Sequence, residues 1–317
     1  MDTRVLGPSS LSVSVVGLGC NNFGRPGTAC DEQPGTNAVV NAAIEAGVTF
    51  FDTADTYGSE YGLSETRLGV ALKGKRDQVV VATKFGHART GSPIPGLKGS
   101  RGYIRAAVEG SLRRLNTDRI DLYQQHMPDT DVPIDETLGA LDELIREGKV
   151  IAIGNSNFDA EQIAEADASA DRLGTAKFVS AQNQYNLLAR GVEIDVLPAI
   201  RAARLGFLPF FPLANGLFTG KFTRTERPAD SRIVRLRPNV ADDAPWDAIE
   251  AYEAFAKARG ITILEATMGW LLSRPSLTSV IAGATKPEQI TQNASAGSGW
   301  RPSPAEAEEI EGLFPLS

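Results

Sequence analysis

The chain has 317 residues, 42% of them hydrophobic and 22% charged, with a formal net charge of −7. That length suits one large α/β domain or two small ones, with a core that needs no staples. The acidic balance offers no basic surface for nucleic acid or an anionic membrane, and His87 and His126 are the only histidines, which leaves little to build a metal site from.

The opening "MDTRVLGPSS" carries no apolar signal core, and no later run is long enough to span a bilayer. Cys20 and Cys30 make no disulfide framework, which fits a reducing compartment, so the expected location is cytoplasmic. "RVLGPSSLSVS" reads as a small hairpin turning at Gly7 and Pro8, placed to plug a barrel floor.

Eight β-rich runs then alternate with helical stretches. They are "SVVGLG" from Ser14, "VTFFD" from Val48, "VVVATK" from Val79, "IDLYQQH" from Ile120, "VIAIGNS" from Val150, "FVSAQNQY" from Phe178, "GFLPFFP" from Gly206 and "TSVIAG" from Thr278. The clearest helix is "IDETLGALDELIREGK", where Leu138, Leu141, Leu144 and Ile145 recur at helical spacing before Gly148. Alternating strands and helices give a parallel sheet through right-handed crossovers, and eight units fit one closed (β/α)8 barrel over residues 1–317. A doubly wound open sheet is the competing architecture. "GLGCNNFG" matches its glycine fingerprint only loosely, with no helix directly after it. The polar, Pro- and Arg-rich stretch from Phe222 to Pro245 has no periodicity and reads as a long loop.

Barrel chemistry sits at the carboxyl ends of the strands. The second run ends at Asp52, with Tyr57 just beyond it, the third at Lys84 and the fourth at His126. The fifth ends at Ser156 and Asn157, the sixth holds Gln182, the seventh ends at Phe210 to Leu213 and the eighth at Gly283. Each has an ordinary reading. Asp52 can cap a turn, Lys84 can snorkel, His126 can be a core histidine and Tyr57 can pack with its hydroxyl wet. Their convergence on one face is what points to a site.

The motifs "FFDTADTYG", "GLSETRLGVAL", "VVVATK", "SLRRLNTDRIDLYQQHMPD", "IREGKVIAIGNSNF", "QNQYNLL", "PFFPLANGLFTGKF" and "VIAGATKPEQITQN" follow in order over nearly the whole chain. In order and spacing they resemble the aldo-keto reductase superfamily, in the style of its bacterial and potassium-channel β-subunit-like branches. The resemblance implies a catalytic tetrad of Asp52, Tyr57, Lys84 and His126 and reduction of an aldehyde or ketone, or oxidation of an alcohol. A phenol is a weak acid at neutral pH, and a neighbouring lysine cation lowers its pKa. His126 would orient the carbonyl and donate to its oxygen as charge builds there.

The resemblance also implies NADP(H), with NAD(H) as the alternative, lying across the barrel mouth. Ser156, Asn157 and Gln182 would hold the nicotinamide carboxamide, and Phe210 would stack on the ring where many members have tyrosine. Leu213, Asn215 and Lys221 would border the pyrophosphate, and Pro212 and Gly283 would also contact the cofactor. Arg232 would close over the cofactor. Thr285, Lys286, Gln289, Gln292 and Asn293 would surround the adenosine and 2′-phosphate, at the start of the last helix. Gln289 stands where mammalian-type members carry arginine. Asn22, Phe23, Phe85 and Met127, with His87 and Pro128, are expected to border the substrate. Asn21 and Asn22 replace the bulky residues common there and imply a more polar pocket. A second reading is a nicotinamide-binding sensor or auxiliary subunit with little turnover.

Overall fold

The computed structural model describes residues 1–316 apart from 88–91, 229, 230, 232 and 235–237. The expected hairpin is present. β1 (Thr3–Val5) and β2 (Ser12–Ser14) pair antiparallel, with Val5 opposite Ser12. Gly7 makes the turn at φ 52°, and a Cβ there would stand 2.1 Å from the Val179 carbonyl oxygen, so the turn presses directly on the barrel backbone.

Eight parallel strands follow: β3 (Val16–Gly19), β4 (Phe50–Asp52), β5 (Val80–Phe85), β6 (Ile120–Gln125), β7 (Val150–Ser156), β8 (Phe178–Gln182), β9 (Gly206–Phe207) and β10 (Val280–Gly283). They pair in chain order, with β10 returning to lie beside β3. The chain just ahead of β10 closes the remaining seam. The Phe207 N–H donates to the Ser276 carbonyl at 2.8 Å, and the Thr278 N–H to the Phe207 carbonyl at 2.8 Å. The architecture is therefore the (β/α)8 barrel rather than the open sheet.

Helices α1 (Gln33–Glu45), α2 (Leu63–Ala71), α3 (Arg101–Leu115), α4 (Ile134–Arg146), α5 (Ala160–Leu173) and α6 (Val196–Ala202) follow β3 to β8 in turn. Between β9 and β10 stand α7 (Pro238–Asp242), α8 (Trp246–Ala258) and α9 (Ile263–Leu272). α7 lies inside the stretch expected to be only loop. α10 (Pro287–Ser298), expected to be the last helix, is followed by α11 (Pro304–Leu313). Its start is a capping box, in which the Ser303 hydroxyl accepts from the Glu306 N–H and the Glu306 carboxylate from the Ser303 N–H. No described helix is long and apolar enough to cross a membrane.

The barrel interior holds Phe50, Ala82, Leu122, Ala152, Val179, Leu208 and Ile281, and the hairpin's Leu6, Leu11 and Val13 join this cluster from the floor. A larger core lies between strands and helices. α4 contributes Leu138, Leu141 and Leu144, all fully buried, at roughly 1.5–3 kcal/mol per side chain. With the floor plugged, polar side chains on the strands can reach solvent only at the carboxyl-terminal mouth.

Candidate active site

Strand parity builds the site. On β4, Phe50 fills the barrel and Phe51 joins the outer core, so Asp52 falls inward again at the strand's end. On β5, Ala82 points inward and Lys84 shares its parity. On β6, Leu122 lies inside and Tyr123 outside, which puts Gln124 and then His126 on the inner side. The four residues expected to act together are thus delivered by β4, β5, β6 and the loop after β4.

Lys84 is fully buried, and its Nζ lies 2.6 Å from Asp52 Oδ2, 3.0 Å from the Thr53 carbonyl and 3.4 Å from the Tyr57 hydroxyl. Burial by itself lowers the ammonium pKa. The Asp52 carboxylate and the Tyr57 oxygen outweigh it, and the pKa ends above the ordinary lysine value. Lys84 is therefore a cation pinned under a phenol. The Tyr57 and His126 rings meet edge to face, with centroids 5.7 Å apart. Burial, then the Lys84 and His87 charges, push the His126 pKa well below its ordinary value, so the imidazole is neutral. The chain's two histidines touch, with centroids 4.7 Å apart.

Asp52 Oδ1 accepts two amide donors, Gln124 Nε2 at 3.1 Å and Gln182 Nε2 at 3.0 Å. Gln124 was not among the expected site residues, although its parity with His126, two residues on, marks it as inward-facing. Gln182 was expected on a carboxamide and is turned toward Asp52. At the end of β7, Asn157 adopts φ 62° and donates from Nδ2 to the His126 carbonyl at 2.9 Å and to Ser156 Oγ at 3.0 Å. Ser156, Asn157 and Gln182 are thereby assembled beside His126.

The segment after β9 is strained. Phe211, Ala214 and Asn215 have φ of 51°, 46° and 60°, a region costly for residues other than glycine. Asn215 Oδ1 is buried there without a partner among the described residues. Phe210 keeps an exposed portion and meets Phe211 edge to face at 5.4 Å. Pro212 and Leu213 are buried, whereas Lys221 and Gly283 are exposed. Gln289 is captured by the turn before α10, its Oε1 accepting from the Thr285 N–H at 2.7 Å and the Thr285 hydroxyl at 3.2 Å. Lys286 stands at the N-cap of α10 with no side-chain cap bond, Gln292 is exposed and Asn293 is buried. Arg232 lies outside the described residues.

Of the residues expected around a substrate, Asn22 and Met127 are partly exposed, as are His87 and Pro128. Phe23 and Phe85 are not. Both are fully buried in the outer core, Phe85 against Tyr123 at 4.8 Å, and present no surface to a ligand.

The chain matches the Aldo/keto reductase family over residues 15–313. It belongs to that family. It is 35% identical over 295 residues to "Probable aldo-keto reductase 1" of Glycine max, covering 92% of this chain and 83% of that one. It is 36% identical over 305 residues to "Uncharacterized oxidoreductase YrpG" of Bacillus subtilis (strain 168), covering 93% and 91%. A protein of Oryza sativa subsp. japonica called "Probable voltage-gated potassium channel subunit beta" is 34% identical over 305 residues, again covering 93% and 91%. As an aldo/keto reductase the chain is an oxidoreductase of a family that generally uses nicotinamide cofactors. The residues around the mouth fit such a group. A partly exposed aromatic residue lies at Phe210, an exposed glycine at Gly283 and, among the described residues, an unpartnered buried amide oxygen at Asn215.

Proposed function

We propose that the protein is an NADP(H)-dependent carbonyl reductase in which Tyr57 is the proton donor. The reading is carried by one observation: Lys84 Nζ lies 2.6 Å from Asp52 and 3.4 Å from the Tyr57 hydroxyl, beside a neutral His126 ring. The bound nicotinamide supplies or takes a hydride. Tyr57 gives its proton to the carbonyl oxygen, and the Lys84 ammonium stabilises the phenolate left behind. Asp52 keeps that ammonium in place and charged. His126, being neutral, donates to the developing alkoxide without competing for the proton. Ser156, Asn157 and Gln182 would hold the carboxamide end, Phe210 the ring face, and Leu213, Asn215 and Lys221 the pyrophosphate. Lys286 at the α10 N-terminus supports a 2′-phosphate, and so NADP(H) over NAD(H). Gln289 does not add to it, because its carbonyl is engaged by Thr285. The substrate is an aldehyde, ketone or alcohol met at a mouth bordered by Asn22, His87 and Met127.

The test follows nicotinamide absorbance with a panel of aldehydes, ketones and alcohols in both directions. Turnover that Tyr57→Phe abolishes supports the reading. The potassium-channel subunit likeness favours a second reading, a nicotinamide-binding auxiliary subunit. Tight cofactor binding with no turnover on any panel member would replace the first reading by that one.

A further inference from the structure

We propose that Gln124 is a positioning residue that couples the carboxamide end of the cofactor site to the Lys84–Asp52 pair. The proposal rests on the carbonyl reductase reading above. Asp52, Gln124 and Gln182 come from β4, β6 and β8, alternate strands that share one inward layer in such barrels. All three are buried, at 3%, 0% and 2% exposure. They close a triangle: Gln124 Nε2 donates to Asp52 Oδ1 at 3.1 Å, Gln182 Nε2 donates to the same oxygen at 3.0 Å, and Gln182 Nε2 also donates to Gln124 Oε1 at 3.3 Å.

β7 runs between β6 and β8 and leaves the space this needs. A Cβ at Gly154 would lie 2.4 Å from Ser180 Oγ and 3.3 Å from Gln124 Cγ, so a side chain there would clash with Ser180 and crowd Gln124 on its way across to Gln182. Gln124 contributes in both directions. Its N–H helps fix the plane of the Asp52 carboxylate, so that Oδ2 is aimed at Lys84. Its carbonyl accepts the second N–H of Gln182. With both amide hydrogens of Gln182 engaged, the Gln182 carbonyl is the group left to accept from a carboxamide NH2. A carboxamide seated on Gln182 therefore tightens the same triangle that holds Asp52 on Lys84, and the cation beneath Tyr57 responds to an occupied cofactor site.

The experiment compares wild type, Gln124→Met, Gln182→Met and the double variant. Methionine nearly conserves volume, so the layer stays filled. The readouts are NADPH dissociation constant by fluorescence quenching, kcat against pH, and thermal midpoint. Gln124→Met is expected to weaken NADPH about tenfold and to lower kcat about tenfold, the size of one hydrogen bond to a charged group. The pH profile of kcat should shift while the thermal midpoint stays near wild type. The double variant should lose less NADPH affinity than the product of the single losses, because both remove one shared interaction. Losses that multiply, or a Gln124→Met variant with wild-type affinity and pH profile, overturn the proposal.

If Gln124→Met does not fold, Gln124→Glu carries the test. It keeps the acceptor for Gln182 but loses the donor to Asp52 unless the new carboxyl is protonated, so its kcat relative to wild type should recover as pH falls. A constant ratio across pH overturns the proposal. Wild type that neither binds nor oxidises a nicotinamide nucleotide overturns both this inference and the reading it rests on. Wild-type turnover with an indifferent Gln124 variant overturns this inference alone.

Discussion

Lys84 and Asp52 form an ion pair at 2.6 Å with side-chain exposures of 0% and 4%. A pair this dry is costly to form and costlier to halve, because removing one partner leaves a buried charge alone. The same pair sets the charge beneath Tyr57, so stability and the proposed proton donation are linked through it.

Asp52→Asn is expected to destabilise the fold by about 3–5 kcal/mol at neutral pH. The sign with pH is distinctive. In wild type the Lys84 pKa is raised, so the contribution is full below the ordinary lysine value and is lost only as pH climbs through the raised one. Without the carboxylate, burial dominates and the pKa falls. The variant should then regain stability relative to wild type as pH rises toward the ordinary lysine value of about 10. Urea midpoints across that range decide it, and a constant difference would show that the pair does not govern Lys84.

Tyr57→Phe removes one hydroxyl, 3.4 Å from Lys84 Nζ, and little shape. We expect kcat to drop by about 10²–10⁴, the usual general-acid contribution, with NADPH affinity nearly unchanged. Single-turnover kinetics with saturating cofactor provide the measurement. Wild-type rates in the variant would assign the proton to another group.

Lys286→Ala should weaken NADPH by about 1–3 kcal/mol and leave NADH almost untouched, since only NADPH carries the 2′-phosphate. Lys286 is exposed at the N-cap of α10, so rising salt should narrow the preference for NADPH. Titrations of both cofactors in wild type and variant test this. Equal weakening of both would locate Lys286 on the shared part of the nucleotide.

Asp55 lies three residues beyond Asp52 but its carboxylate is held by Tyr61 rather than by Lys84. It is fully buried, with Tyr61 donating to it at 2.6 Å, and its Oδ1 has no partner among the described residues. Burial, then the Glu65 charge, raise its pKa to about 7. A raised carboxyl binds more protons folded than unfolded between about pH 4 and pH 7, so its stabilising contribution is full at acid pH and is lost as pH rises through about 7. Asp55→Asn deletes the titration. Its unfolding free energy, read from urea melts, should therefore gain on wild type from about pH 4 to pH 7, by at most about 4 kcal/mol. A gap that does not change with pH would mean Asp55 is ionised in the fold throughout.

The eight strands, and the gathering of Asp52, Tyr57, Lys84 and His126 at their carboxyl ends, could be read from the sequence because both depend on short-range pattern. Apolar runs such as "VVVATK" are long enough for one buried strand, and inward parity makes Lys84, two residues past Ala82, a mouth residue wherever its neighbours lie. The hairpin was legible for the same reason, since Gly7 supplies its turn. Only tertiary structure decided the rest. Gln124 and Gln182 meet Asp52 across sequence separations of 72 and 130 residues, a convergence set by barrel curvature. Phe23 and Phe85 read as pocket walls because aromatic residues beside a strand end can face either way, and packing in the outer core turned both away from the mouth. Gln289 looked available to a phosphate until the turn into α10 brought Thr285 onto its carbonyl. Local pattern fixes which side of a strand a residue occupies, whereas the partner it meets there depends on how the strands curve and close.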